Sequence, residues 1–259
     1  MNFQHRVTVI GGGSFGTVLA NIVAHNGFPV SLWLRDQDLA EEMRQTRVNS
    51  RYVPGLYLHD DLEIVTDFKR CVNHADTVIF SVPSKAFRGV LEQVKDFIND
   101  QQFLVTTAKG IEPDHFLLMS QLLEVYFPKN PIGVVSGPNL AKEVAAKQLT
   151  GTVIASDNEG LRQQVQAILQ CDFFRVYASN DPYGTELGGA LKNIYAIAAG
   201  LSAAMGMGEN TRSMLLTRSL AEMSRLAVHM GANPMTFLGL AGVGDLIVTC
   251  MSPLSRNYR

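Results

Sequence analysis

Lys192 is a lone cation in the stretch ELGGALKNIYAIAAG, residues 186–200. On a helix its neighbours three and four positions away are Gly188, Gly189, Tyr195 and Ala196, none acidic. An ammonium in apolar surroundings loses basicity from an ordinary value of ~10.4. It then becomes a usable proton donor or acceptor near neutral pH. The alternative is a surface lysine with its stem lying on alanines. Two adjacent glycines cost a helix about 1 kcal/mol each relative to alanine, which makes sense where other atoms must come close. Further on, GLAGVGDLIVTCMSPLSRN (239–257) holds Asp245 and Thr249 four apart, on one helical face. Asp245 can orient an ammonium or accept from a hydroxyl. Ser255, Arg256 and Asn257 set a hydroxyl, a guanidinium and an amide side by side, a good set for a phosphate. Taken alone, they read as a polar terminus.

A second kind of chemistry sits at the start of the chain. VTVIGGGSFGTVLA carries Gly11, Gly13 and Gly16 in the G-x-G-x-x-G register, after a strand-like run and before an apolar helix. The first glycine makes a tight turn and the second lets backbone approach a pyrophosphate. The third allows close strand–helix packing. The helix N-terminus then offers free N–H groups and a positive dipole to the phosphates. The next strand-like run, VSLWL, ends at Arg35 and Asp36, where the adenosine ribose of a dinucleotide is read. An acidic residue would bond the 2′-hydroxyl of NAD, and an arginine would pair the 2′-phosphate of NADP. Arg35 comes first, which favours NADP(H) over a plain solvated Arg–Asp pair.

Ligands in such folds lie beyond the carboxyl ends of the strands. FSVPSKAF places Pro83 there, VTTAKGIE places Lys109 and Gly110, and VVSGPNLAKEV places Gly137, Pro138 and Asn139. Asn139 is the expected helix cap at that turn. Lys109 reads equally as an ordinary surface lysine.

These residues need a scaffold. Short apolar runs at 6–10, 30–34, 77–82, 103–108 and 132–137 alternate with amphipathic stretches such as 84–98 and 115–126. This pattern predicts a parallel sheet covered on both faces by helices. Two more strands are expected at 152–156 and 173–179. After residue 182 the chain turns helix-prone, and Gly231, Asn233 and Pro234 mark a helix stop. The expected organisation is a dinucleotide-binding domain over 1–183 and a helical catalytic domain over 184–259. The ending SPLSRNYR suggests that the second domain is incomplete. A net charge of −2 argues against a nucleic-acid surface. No run of apolar residues is long enough for a membrane span. Three distant cysteines and six scattered histidines read as reduced thiols in a cytoplasmic protein with no metal site.

The set GGGSFGT, SVPS, KGIE, SGPNLAKE, ELGGALKNIYAIAAG, GENTR and GVGDLIVTC…SRN resembles NAD(P)-dependent glycerol-3-phosphate dehydrogenases of the bacterial type, in order and through essentially the whole chain. The resemblance implies an α/β fold: an N-terminal Rossmann-type parallel sheet with helices on both faces, then an all-helical domain. It implies reduction of dihydroxyacetone phosphate to sn-glycerol 3-phosphate with NADPH or NADH, feeding glycerophospholipid synthesis. The implied partners are a triose phosphate and a possible second subunit. Lys192 is then the proton donor/acceptor on the C2 oxygen, with Asn193, Asp245 and Thr249 positioning it and the substrate. Lys109 contacts substrate and cofactor. Gly137, Asn139, Ser255, Arg256 and Asn257 bind substrate, and Ser14, Phe15, Arg35, Ala141 and Arg256 bind cofactor. NSRYVPG (49–55) resembles the family's Asn…Tyr-x-Pro-Gly loop. Asn139, His59 and Tyr258 depart from the family's usual serine, proline and basic residue. Two alternatives stay open: a lysine-dependent hydroxyacid dehydrogenase of similar architecture, and a non-catalytic NAD(P)-binding protein.

Overall fold

The structure is a computed structural model, and it describes residues 5–258. Its first part alternates strands and helices: β1 (Val7–Ile10), α1 (Ser14–His25), β2 (Val30–Trp33), α2 (Gln37–Thr46), β3 (Glu63–Val65), α3 (Phe68–Val72), β4 (Thr77–Phe80) and α4 (Ser84–Val94). There follow β5 (Phe103–Thr106), α5 (Met119–Tyr126), β6 (Ile132–Ser136), α6 (Ala141–Ala145), β7 (Thr150–Ala155), α7 (Glu159–Leu169) and β8 (Phe174–Ser179). The rest is helical: α8 (Pro182–Ala204), α9 (Glu209–His229) and α10 (Asp245–Met251). A 3-10 turn (Pro234–Leu238) and a π-helical turn (Leu240–Gly244) join α9 to α10.

The strands form one sheet in the order β3-β2-β1-β4-β5-β6-β7-β8. Every neighbouring pair is parallel except β6 and β7. The order reverses between β1 and β4, so a crevice opens beyond their carboxyl ends. The glycine loop after β1, Ser81 after β4, Lys109 after β5 and Gly137 after β6 therefore line one edge of the sheet.

The strands alternate their side chains between two cores. Val7 and Val9 of β1 and Ile79 of β4 pack on the side of α1 and α7. Ile10, Val78 and Phe80 pack on the side of α4 and α5, with Phe87, Leu91 and Leu122. Each fully buried side chain of this kind contributes about 1.5–3 kcal/mol of transfer free energy. A third core holds Leu187, Leu191, Ala196, Met223, Phe237 and Leu246 of the helical part, and Leu118 from the α/β part joins it. Helix α8 is firmly started. Pro182 occupies its first turn and the Asp181 carboxylate accepts from Gly184 N–H. The same carboxylate accepts from Asn233 N–H and the Thr236 hydroxyl, tying the start of α8 to the turn after α9.

Three local expectations need correction, and one strand, β3, adds to those expected. β7 runs antiparallel to β6, because the link between them holds only the five-residue α6, too little to recross the sheet. β3 is a strand of three residues, too short for a periodic signal. The helix expected over 115–126 begins at Met119; Ile111 and Leu118 instead pair as a bridge, and Phe116 has φ 57°. The helix expected over 84–98 ends at Val94.

Candidate active site

Lys192 lies on α8 and is only 6% exposed. Its Nζ donates to Asp245 Oδ1 and to Thr249 Oγ1, the latter at 2.6 Å. Lys109 reaches the same carboxylate from the sheet edge, donating to Asp245 Oδ2 at 2.6 Å and to the Gly137 carbonyl at 2.9 Å. Asp245 is 1% exposed. One buried carboxylate thus holds an ammonium on each oxygen, one from each half of the chain. Burial pushes the Lys192 amine down to about 7, with Lys109 adding to the shift and Asp245 opposing it. An amine at that value is part protonated near neutral pH and can give or take a proton.

The glycine pair makes this approach possible. A Cβ on Gly188 would lie 2.6 Å from the Ala241 carbonyl oxygen. One on Gly189 would lie 2.9 Å from Ser136 Oγ and 3.4 Å from the Lys109 stem. The bare α8 backbone therefore lets the π-helical turn and Lys109 close onto it. That turn leads directly into Asp245 at the start of α10, as π-helical segments often do at functional positions. Around the cluster, Ser136 Oγ and Asn139 Oδ1 are buried without a hydrogen-bond partner among the described residues. Such groups are costly unless a ligand or water satisfies them.

Asn139 does not cap a helix. Its amide donates to Thr152 Oγ1 at 2.8 Å, and α6 begins after Leu140, which makes no side-chain cap bond. The neighbouring strand offers a hydroxyl that outcompetes the local backbone. Asn257 Nδ2 donates to Asn193 Oδ1 at 2.8 Å, which seats the 255–257 segment one residue from Lys192. Ser255 is buried there and Arg256 is exposed.

The glycine loop fits a pyrophosphate. Gly11 has φ 124°, and a Cβ there would lie 2.5 Å from the Ser81 carbonyl oxygen. A Cβ on Gly16 would lie 2.0 Å from the Gly11 carbonyl oxygen, so only glycine permits this packing. Gly13 precedes α1, makes no side-chain cap and faces open space within 4 Å. The first-turn N–H groups of α1 are thus left for an anion. Ser14 Oγ donates to the Tyr52 carbonyl, Phe15 packs on the core, and Ala141 opens α6 beside it. Ser81 also accepts from the Thr107 hydroxyl at 3.0 Å, which links the glycine loop laterally to the strand that carries Lys109.

Beyond β2, Arg35 is exposed. Asp36 is already engaged: it caps α2 through Leu39 N–H at 3.0 Å and pairs with Arg51. The turn that carries Arg51 is anchored by Asn49, which is fully buried, donates to the Gly12 carbonyl and to Thr17 Oγ1, and accepts from Tyr52 N–H.

Comparison with known proteins agrees. The N-terminal model of NAD-dependent glycerol-3-phosphate dehydrogenase matches residues 6–162, and its C-terminal model matches residues 181–259. The chain belongs to the NAD-dependent glycerol-3-phosphate dehydrogenase family. It is 56% identical to a glycerol-3-phosphate dehydrogenase [NAD(P)+] of Alcanivorax borkumensis over 99% of this chain and 75% of that one. It is 57% identical to one of Pseudomonas putida over 100% of this chain and 76% of that one. The crystal structure of the Coxiella burnetii glycerol-3-phosphate dehydrogenase superposes with a TM-score of 0.95 at 37% identity, covering 99% of this chain and 79% of that one. The corresponding Saccharomyces cerevisiae enzyme gives 0.88 at 28% identity, covering 98% of this chain and 79% of that one. As a member of this family the chain is an NAD(P)-dependent oxidoreductase.

Within this dehydrogenase, Lys192, Asp245, Thr249, Lys109 and Gly137 meet in one hydrogen-bonded cluster, with Asn193 and Asn257 beside it. Arg35 stands apart, at the far end of the glycine-loop side. Nothing in the sequence alone singles out Ser136, Arg51 or Glu186. The nearest to a signal is at Glu186, an acidic residue opening an apolar helical run; the others look like ordinary polar residues until the chain folds.

Proposed function

We propose that this protein reduces dihydroxyacetone phosphate to sn-glycerol 3-phosphate, reversibly, with Lys192 as the proton donor and acceptor. The observation that carries the reading is the shared carboxylate: Asp245 takes Lys192 on one oxygen and Lys109 on the other. Two amine side chains against one carboxylate, Lys192 buried and Lys109 half-buried, leave a local surplus of positive charge, which suits a phosphorylated substrate. Gly11, Gly13, Ser14, Phe15, Gly16 and Ala141 hold the dinucleotide, which supplies the hydride when bound. Lys192 gives its proton to the C2 oxygen as the carbonyl is reduced and takes it back in reverse. Asp245 and Thr249 keep the amine aimed, and Lys109 and Asn139 orient the substrate. Ser255, Arg256 and Asn257 hold its phosphate beside Asn193. Arg35 takes the 2′-phosphate of NADPH, since Asp36 is already paired. The enzyme works in the cytoplasm and its product enters glycerophospholipid synthesis.

The test is oxidation of NADPH with dihydroxyacetone phosphate, followed by the nicotinamide absorbance. Lys192→Ala is expected to lose about 10²–10⁴-fold in kcat while still binding NADPH. Turnover of a non-phosphorylated ketoacid at the same rate, unaffected by Arg256→Ala, would point instead to a hydroxyacid dehydrogenase.

A further inference from the structure

Glu186 is a buried carboxylate outside the cluster just described. It lies on α8, is 2% exposed, and has no Lys or Arg partner among the described residues. Its Oε1 accepts from Met119 N–H at 2.8 Å, and its Oε2 accepts from the Ser120 hydroxyl. Ser120 N–H reaches both oxygens at 3.2 Å. Met119 and Ser120 are the first two residues of α5, whose cap residue Leu118 has no side-chain cap bond to offer. Glu186 therefore caps, from the helical part of the molecule, a helix belonging to the sheet part. Leu118 strengthens the same joint by packing with Leu187 and Leu191.

The joint lies close in sequence to both lysines. Leu118 pairs with Ile111 across an antiparallel bridge, and Ile111 is two residues from Lys109. The Leu117 carbonyl accepts from Glu112 N–H at 2.8 Å, and Glu112 in turn pairs with Arg88. The loop that carries Lys109 is thus clamped onto the start of α5. Glu186 holds that start onto α8, six residues before Lys192 on the same helix. The path closes through Asp245.

We propose that Glu186 is a positioning residue: by capping α5 it fixes the Lys109 loop against α8, so that both ammonium groups meet on Asp245. The proposal rests on the reading of Lys192 as proton donor. Lys109 is the second cause of the lowered Lys192 basicity, after burial. Loosening the Lys109 loop therefore raises the pH at which Lys192 loses its proton. In the reduction direction the activity falls as pH rises through that value. Burial pushes the Glu186 carboxyl up to about 7, the hydrogen bonds from Ser120 and Met119 oppose that rise and Glu124 adds to it, so the cap itself weakens as pH falls through neutrality, on the acid side of the limb the test reads.

The experiment is the pH dependence of kcat/KM for dihydroxyacetone phosphate reduction by wild type, Glu186→Gln and Ser120→Ala, with thermal midpoints recorded alongside. Glu186→Gln is expected to lose about tenfold or more in kcat/KM, because small misplacements of reacting groups are costly. Its alkaline limb should move upward by about half a unit or more, with KM for NADPH unchanged. Ser120→Ala, which removes one donor and leaves α8 intact, should move the limb the same way by less. A lower thermal midpoint with the wild-type limb in either variant overturns the proposal, since it reduces Glu186 to a structural cap. Unchanged behaviour in both overturns it too. Failure of the underlying reading is separate: Lys192→Ala would keep wild-type turnover.

Discussion

Asp245 and Asp36 both pair with cations, and they do so in opposite settings. Asp245 is buried between two lysines contributed by α8 and by the end of β5. Asp36 is half-exposed, caps its own helix and pairs with the exposed Arg51. Removing charge from water is expensive, so a buried cluster keeps its geometry only when every oxygen and ammonium has a partner. That expense is what lowers the Lys192 amine to about 7. The Asp36 pair sits in water, where ion pairs contribute little to stability and are screened by salt. Burial turns one arrangement into acid–base chemistry. Exposure leaves the other as a recognition surface that a ligand can rearrange.

The largest expected effect breaks the buried side of the comparison. Lys192→Met should abolish reduction, losing about 10²–10⁴-fold in kcat, yet raise stability at neutral pH. The sign follows from linkage. Lys192 falls from an ordinary 10.5 to about 7 in the fold, so the fold carries a penalty below pH 7 that is relieved as pH rises toward 10.5. Chemical denaturation across that window should show wild-type stability rising with pH and the variant lacking that rise. Next, Asp245→Asn leaves the buried Lys192 and the half-buried Lys109 without their counter-charge and should cost about 3–5 kcal/mol, read by denaturant midpoint. Gly189→Ala comes third. Its methyl meets Ser136 Oγ and the Lys109 stem, so KM for dihydroxyacetone phosphate should rise about tenfold with the fold retained. The smallest effect belongs to the exposed side. Arg51→Ala should leave the thermal midpoint unchanged, while freeing Asp36 should weaken NADPH relative to NADH in steady-state KM values.

The same contrast explains what the sequence could convey. The glycine loop was legible because three spaced glycines, a strand and a helix are local, and their chemistry needs no distant partner. Lys192 was legible because it breaks a pattern, and Asp245 with Thr249 because helical spacing puts them on one face. The shared carboxylate was not legible. Lys109 and Asp245 are 136 positions apart and meet only after the helical part folds back on the sheet. Asn139 was misread because a local turn rule yielded to the Thr152 hydroxyl on the next strand. The reversal at β7 was hidden because an antiparallel strand and a parallel one share the same apolar residues. Glu186 was quoted at the head of its motif and passed over, because its partners, Met119 and Ser120, are backbone and hydroxyl groups of another helix.

The central claim is that Lys192 donates the proton and is tuned to do so by burial and by Lys109. The most direct test is the pH dependence of kcat/KM for dihydroxyacetone phosphate reduction by wild type and by Lys109→Ala. The account predicts a wild-type rate that falls with a midpoint near pH 7, and a higher midpoint in Lys109→Ala. A midpoint at the ordinary lysine value in wild type, or one that Lys109→Ala leaves in place, would contradict it.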